Sequence, residues 1–463
     1  MRTFRRSVVA QPGLDAFREA AADYEVMLVT ILDAVLARFE HHGGRYPFID
    51  TKLSIITGED FAEPADVSRD FKGRSAVLSW IQGRGLEALV GHARWLPECS
   101  VLGDAGKAGR IARLRDMIAA VFERMETLRA RNGGKLFFMM TPEGEPFDTG
   151  ADGWRRPIDI RGSRSRMSDL FYAKGMLAAA DLLGRADKVD EAKRYFRAVL
   201  ADAEAERFER DAIAFDPGNP ALVAPPAQLP HAPRMISIGG CVLFAELTGE
   251  SEWLDAGARI VQFLLERHAN LGQFAELRPG DFFEFRDAAG QPFKEPGNVV
   301  RSDPGHSLEF VGLAAKLALM LPAGSPLRAR CADALPKLFA RNFANGFNPG
   351  VGGIVKHVDL VSRRALNPEM PWWNLPETMR AAAELLVLAP DAPERAEILS
   401  ALMQCSNGFM ASFVNPSVHL MAYQTVGPDG RPVDVVPATP DADPGYHTGL
   451  SLIDMLRRLR SLR

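Results

Sequence analysis

Cysteine is scarce in this chain. Four thiols, Cys99, Cys241, Cys331 and Cys405, are scattered over 463 residues. No two form a Cys-x-x-Cys pair, which removes the commonest zinc and dithiol motifs, and free thiols predict a reducing, cytoplasmic setting. There is no His-Glu-x-x-His helix and no Gly-x-Ser-x-Gly elbow. Gly350-Val351-Gly352-Gly353 lacks the Lys-Ser/Thr that a phosphate loop needs. No metal and no cofactor is expected. Long apolar runs are missing too, and nothing approaches the roughly 20 residues of a membrane span. After Arg5-Arg6-Ser7, the run Val8-Val9-Ala10 stops at Gln11-Pro12, too short for the apolar region of a secretory leader. No basic excess exists either: 55 Lys and Arg face 59 Asp and Glu. The Arg-rich stretches fall on amphipathic helices and read as solvated faces, so no nucleic-acid partner is expected.

What the chain has in quantity is helical periodicity. Apolar residues recur at i, i+3, i+4 and i+7, as in Phe310, Leu313, Ala314 and Leu317. The pattern predicts helices near 14–41, 74–97, 105–131, 167–184, 187–208, 235–249, 251–269, 304–321, 326–344, 371–389, 393–414 and 446–461. Alternate helices start near Ser168, Met235, Pro304, Pro371 and Tyr446, a spacing of about 70 residues. Between several pairs lies an aromatic or apolar stretch, a Gly-containing turn and a Pro. These are Phe137–Pro146, Phe282–Pro292 and Leu420–Pro432, all of which read as β-hairpins; Gly352–Val361 fits less well. The expected fold is all-α: six helix pairs in two concentric rings, an (α/α)6 barrel with short β-hairpins in the connecting loops at the active-site end. A linear superhelix of pairs is the competing layout. With no linker or composition shift, residues 1–463 read as one domain.

The triplet Asp-Pro-Gly occurs three times. Asp303-Pro304-Gly305-His306 and Asp443-Pro444-Gly445-Tyr446-His447 each deliver a histidine to the start of an even-numbered helix; Asp216-Pro217-Gly218 does not. Asp303 is a good N-cap and Pro304 suits the first helical position. The helix dipole there disfavours an imidazolium, so His306 is expected neutral and basic. Glu309, three residues on, is placed to fix its tautomer. Two opposed neutral bases are what proton transfer on carbon requires. Trp372-Trp373 opens another even helix and offers an apolar platform for a sugar ring. Glu377 and Arg380 follow and read as a surface ion pair. Arg84 lies between Gly83 and Gly85, where missing side chains let another segment or a ligand come close. His231 shows no ligand-like spacing with the other histidines.

Taken in order, Trp80–Leu86, Asp303–Glu309, Trp372-Trp373 with Glu377, and Tyr446-His447 resemble the N-acylglucosamine 2-epimerase family, over nearly the whole chain. That resemblance implies an (α/α)6 barrel and metal-free proton transfer at C1 and C2 of a reducing sugar through a cis-enediolate. It implies His306 and His447 as the acid–base pair, Glu309 orienting His306, and Arg84 near O1 or O2. It implies Trp372, Trp373 and Glu377 around the sugar, and a homodimer. The chain departs from the family pattern at Phe310, at Glu87-Ala88, at Ile236-Ser237 and at Asn374-Leu375-Pro376, which puts substrate identity in question more than reaction type. Two other readings stand beside it: a glycoside hydrolase or lyase using Glu309 and Glu377, and an inactive sugar-binding protein.

Overall fold

The computed structural model describes residues 3–149, 153–209, 211, 228–434 and 439–462. The third Asp-Pro-Gly copy, at 216–218, lies outside them. Twelve α-helices occur among the described residues: α1 (Leu14–His42), α2 (Ser79–Trp95), α3 (Asp104–Arg131), α4 (Met167–Leu183), α5 (Ala186–Glu204), α6 (Ala232–Thr248), α7 (Ser251–Arg267), α8 (Pro304–Met320), α9 (Pro326–Gly346), α10 (Asn374–Leu388), α11 (Arg395–Gly408) and α12 (Ser451–Ser461). The even-numbered helices form the inner ring, each against the next. The ring closes where α2 meets the π-helical turn Tyr446–Leu450 that leads into α12. Each odd helix packs outside an even one, so the sequence period corresponds to an (α/α)6 barrel.

Composition explains which helix goes where. The inner helices are buried nearly all round; α4, α8 and α10 carry small residues such as Ala178, Ala179, Ala314, Ala315, Ala381 and Ala382 at their contacts. Outer helices such as α5 and α7 bury one stripe, with Phe196, Trp253 and Ile260 facing inward. Each large apolar side chain buried this way contributes about 1.5–3 kcal/mol. The glycines flanking Arg84 admit other parts of the same chain: a Cβ on Gly83 would sit 2.7 Å from the backbone of Phe171 and Tyr172 in α4, and Gly85 faces Ile49 and Pro444.

The strands are two to four residues long and lie at the N-terminal ends of the inner helices. Val77–Leu78 leads into α2, Leu229–Pro230 into α6, Arg301–Ser302 into α8 and Met370–Pro371 toward α10. Val77–Leu78, Met139–Met140, Pro146–Thr149 and Arg155–Pro157 form one antiparallel sheet in that order. Several expected boundaries move. α2 starts at Ser79 rather than 74, because Val77–Leu78 pairs with Met139–Met140, and α11 ends at Gly408, where a π-helical turn carries the chain to Phe413. α10 starts at Asn374 rather than 371, because Met370–Pro371 pairs with Thr425–Val426 and keeps the chain extended; both tryptophans therefore precede the helix. The Leu420–Tyr423 run is not a strand: His419 and Leu420 have positive φ and turn the chain, Ala422 makes an isolated antiparallel bridge with Val414, and the strand begins at Thr425.

Candidate active site

His306 sits in the first turn of α8. Asp303 caps that turn: its Oδ1 accepts from the backbone N–H of Gly305 at 3.0 Å and of His306 at 3.3 Å. Gly305 is required, because a Cβ there would fall on the Asn374 side chain of α10. The His306 ring does not turn to Glu309. Its Nδ1 lies 3.1 and 3.3 Å from the two oxygens of Glu284, and 3.4 Å from Asp303 Oδ2. Glu284 Oε1 also meets His231 Nε2 at 3.0 Å and accepts from the Asp303 backbone N–H. Lys356 Nζ closes the group on Asp303 Oδ2 at 2.5 Å. The expectation that Glu309 orients His306 is therefore corrected: the residue after Phe283 does so, from the neighbouring hairpin. Burial disfavours the His306 imidazolium, but Asp303 and Glu284 outweigh it and raise the pKa above 6.5. The rise runs against the neutral ring expected from the helix dipole. Burial likewise opposes ionisation of Glu284, but His231 and His306 hold it well below 4.5.

A second dyad shares Trp373 with this one. Asp443 Oδ1 accepts from the N–H groups of Gly445 and Tyr446, and Oδ2 from that of Thr448. With Gly445 at φ 94°, these bonds wind the turn that carries His447. His447 Nδ1 lies 2.9 Å from Glu377 Oε1. Glu377 in turn pairs with Arg380, and both are buried, so this is an interior ion pair and not the surface pair expected from the sequence. Burial raises the Glu377 pKa, while Arg380 and His447 more than offset it and leave it lowered. A carboxylate can only accept, so each histidine presents Nδ1–H to its carboxylate and keeps Nε2 free. Glu309 stands beside the second dyad: one carboxyl oxygen each of Glu309 and Glu377 and one ring nitrogen of His447 lie within 4.8 Å of one another. Burial first, and Glu377 second, raise the Glu309 pKa.

Trp373 spans the two dyads. Its ring stacks on His306, with centroids 5.2 Å apart, and lies 5.6 Å from His447. Trp372 meets His447 edge-on at 6.2 Å, and its Nε1 is buried without a hydrogen-bond partner. The Arg84 guanidinium lies 4.0 Å from the Phe171 ring centroid and 5.5 Å from that of Tyr446. Among the described residues it has no carboxylate partner, and burial lowers its pKa. Glu309, Asp443 and Glu377 lie near enough to favour its charge without pairing with it, and a ligand oxygen is a partner such a group suits. The seven residues singled out from the sequence thus fall in one region.

Three further residues escaped the sequence reading. Glu284 is hidden in an aromatic run, and His231 caps a helix with no companion at ligand spacing. Lys174 of α4 is buried; its Nζ donates to the Tyr446 hydroxyl at 2.7 Å and pairs with Glu87 at 2.9 Å. The only sequence signal was a charged residue inside an otherwise apolar segment. Among the described residues, two groups of side chains could hold a cation: His231, Glu284 and His306, and Glu309, Glu377 and His447. In both, contacts of 2.9–3.1 Å between histidine nitrogen and carboxylate oxygen are those of N–H···O hydrogen bonds.

Such a pocket, at the N-terminal mouth of the inner helices, places the protein in the class of (α/α)6-barrel proteins. Its sequence goes further: residues 118–448 match the profile of the N-acylglucosamine 2-epimerase (GlcNAc 2-epimerase) family, and the chain belongs to that family. No curated protein sequence matches the chain. Similar solved structures include a sugar epimerase from a ruminal bacterium, with TM-score 0.66 and 14% identity, covering 94% of this chain and 98% of that one. A D-mannose isomerase has TM-score 0.62 and 12% identity over 92% and 97% of the two chains. Cellobiose 2-epimerase from Bacillus thermoamylovorans B4167 has TM-score 0.61 and 12% identity over 92% and 100%. No helix among the described residues is long and apolar enough to cross a membrane.

Proposed function

We propose that the chain is a 2-epimerase or aldose–ketose isomerase acting on a reducing sugar. One histidine removes the proton on C2 through Nε2, leaving a cis-enediolate. A proton is then delivered to C2 from the opposite face, giving the epimer, or to C1, giving the ketose. Arg84 faces the developing oxyanion, where a fixed donor in a desolvated site is most effective. Trp373, and Trp372 beside it, pack on the sugar's C–H face. The observation that carries this reading is the duplicated dyad: two histidines, each with Nδ1 held by a buried carboxylate and each in contact with the ring of one tryptophan. Family membership supports it independently.

One observation favours a second reading. Glu309 and Glu377 have oxygens within 4.8 Å, and their environments shift their pKa values in opposite directions, upward for Glu309 and downward for Glu377. That split suits the acid and the nucleophile of a retaining glycosidase. The Glu377 contacts to Arg380 and His447 count against it, since they occupy the oxygens a nucleophile would need.

The deciding experiment is proton NMR in heavy water with mannose, glucose, fructose, N-acetylmannosamine and cellobiose. Deuterium at C2 or C1 of any of them supports the isomerase reading, and the labelled carbon separates epimerase from isomerase. Release of a reducing end from a glycoside without exchange supports the hydrolase.

A further inference from the structure

Below the two dyads the barrel axis is not filled. A cavity of about 310 Å³ lies between the inner helices, toward the end opposite the strands. Its deep end is formed by Glu309, Arg380, Lys174 and Tyr446, and its outer end includes Arg94, Glu246 and Arg457. Along α8 it runs from Glu309 past Leu313 to Lys316, two helical turns or about 10 Å. Small residues line it: Ala178, Gly91, against which Leu450 packs, and Gly239, beside Leu313 and the Lys174 ammonium.

The buried charges along this cavity are matched, with one exception. Lys174 is paired with Glu87, Lys316 with Asp454 at 2.9 Å, and Arg380 with Glu377. Glu309 is 4% exposed, and among the described residues it has neither a hydrogen bond nor an ion pair. A buried carboxyl without a protein partner is satisfied by water, and the cavity brings water to it. On its other side the same carboxyl lies within 4.8 Å of a His447 ring nitrogen, near enough for a proton to pass directly or through one water.

This arrangement bears on a step that two-base epimerisation cannot avoid, and the inference rests on that functional reading. When His306 takes the C2 proton and the His447 imidazolium gives one to the opposite face, the enzyme is left with His306 protonated and His447 neutral. The next turnover in the same direction needs the reverse. We propose that Glu309 is the group that reprotonates His447 between turnovers, drawing its proton from solvent through the axial cavity. The Glu309 acid passes its proton to His447, directly or through one water. The carboxylate left behind recovers one from the cavity water, and the His306 imidazolium sheds its own at the mouth, so no net proton is consumed. In the opposite direction each transfer reverses. Glu309 acts here through His447 and touches no reacting carbon. Burial and Glu377 raise its pKa above the ordinary carboxylate value, which favours the acid form this work needs.

The test obstructs the cavity far from the dyads, in the full chain. Leu243→Trp and Leu247→Trp place bulk on its α6 wall. Because the reset occurs in free enzyme after product leaves, kcat should fall about tenfold while kcat/KM stays within about twofold of wild type. Raising imidazole buffer concentration should restore kcat, since a small acid reaches His447 through the vacant mouth. Glu309→Gln should show the same buffer-dependent rescue. A kcat insensitive to both tryptophans, or equal loss of kcat and kcat/KM without rescue, would overturn the proposal. Wild-type protein that moves no proton on any sugar would instead overturn the isomerase reading beneath it.

Discussion

Replacing Glu284 by glutamine separates the dyad seen in the structure from the one expected by spacing. The carboxylate lies 3.1 Å from His306 Nδ1 and 3.0 Å from His231 Nε2. At an effective dielectric of about 20, its attraction for a charged His306 is about 5 kcal/mol. Burial opposes that attraction, and Asp303 at 3.4 Å adds to it, with a net pKa above 6.5. Glutamine keeps the shape and removes the charge, leaving burial and Lys356 against Asp303 alone, so the His306 pKa should drop by about 1–3 units. A general base works in its neutral form. In the wild type kcat/KM therefore falls as pH drops through a value above 6.5, and in Glu284→Gln that limb moves to more acid pH. The amide oxygen can accept from one histidine at a time. The other loses its partner, which costs about 1–3 kcal/mol of stability, and the less firmly held tautomer should lower kcat/KM at its optimum roughly 10–100-fold, equivalent to about 1.4–2.7 kcal/mol. The assay is kcat/KM from deuterium exchange between about pH 5 and pH 9, around the histidine range. A limb that stays where it was, or moves toward alkali, would refute the argument. The same group governs acid stability. Its folded pKa is well below 4.5, so its contribution is present above 4.5 and is lost as pH falls through the folded value.

His447→Asn should lower proton exchange at C2 by about 10²–10⁴-fold while leaving any hydrolysis or sugar binding largely intact; retained exchange, read by NMR, would remove His447 from the mechanism. Gly83→Ala should destabilise the fold by about 1–3 kcal/mol, because its Cβ would press on the α4 backbone 2.7 Å away; urea denaturation with an unchanged midpoint would show that α2 and α4 can separate freely. Prolonged dialysis against a chelator should leave exchange activity unchanged if both histidine–carboxylate groups act as hydrogen-bonded pairs. Activity lost on chelation and restored by one divalent metal would reassign His231, Glu284 and His306 as ligands.

Much of this molecule was legible in order along the chain. Helical periodicity depends on neighbours three and four residues apart, and it placed twelve helices to within a few residues at most ends. Asp-Pro-Gly is a local device whose cap and turn geometry follow from the residues themselves, so His306 and His447 could be read as helix-start residues. The errors lie where a distant partner decides. Glu284 reaches His306 across 22 positions from a hairpin in a different element, and nothing in the spacing of α8 signals it; Glu309, the near neighbour, looked better placed and points elsewhere. Glu377 and Arg380 form an ordinary i,i+3 pair on paper, and only the ring of inner helices buries them and delivers Glu377 to His447, 70 positions away.

The sequence by itself determined the repeating helix pairs, the positions of the caps and the histidines they carry, because each rests on contacts within a turn or two. Closure of the inner ring decided the rest: which carboxylate holds which histidine, which way each pKa moves, and the charged space along the axis. Those depend on side chains from several helices meeting in a low-dielectric interior, where distance and desolvation, not sequence separation, set the energies.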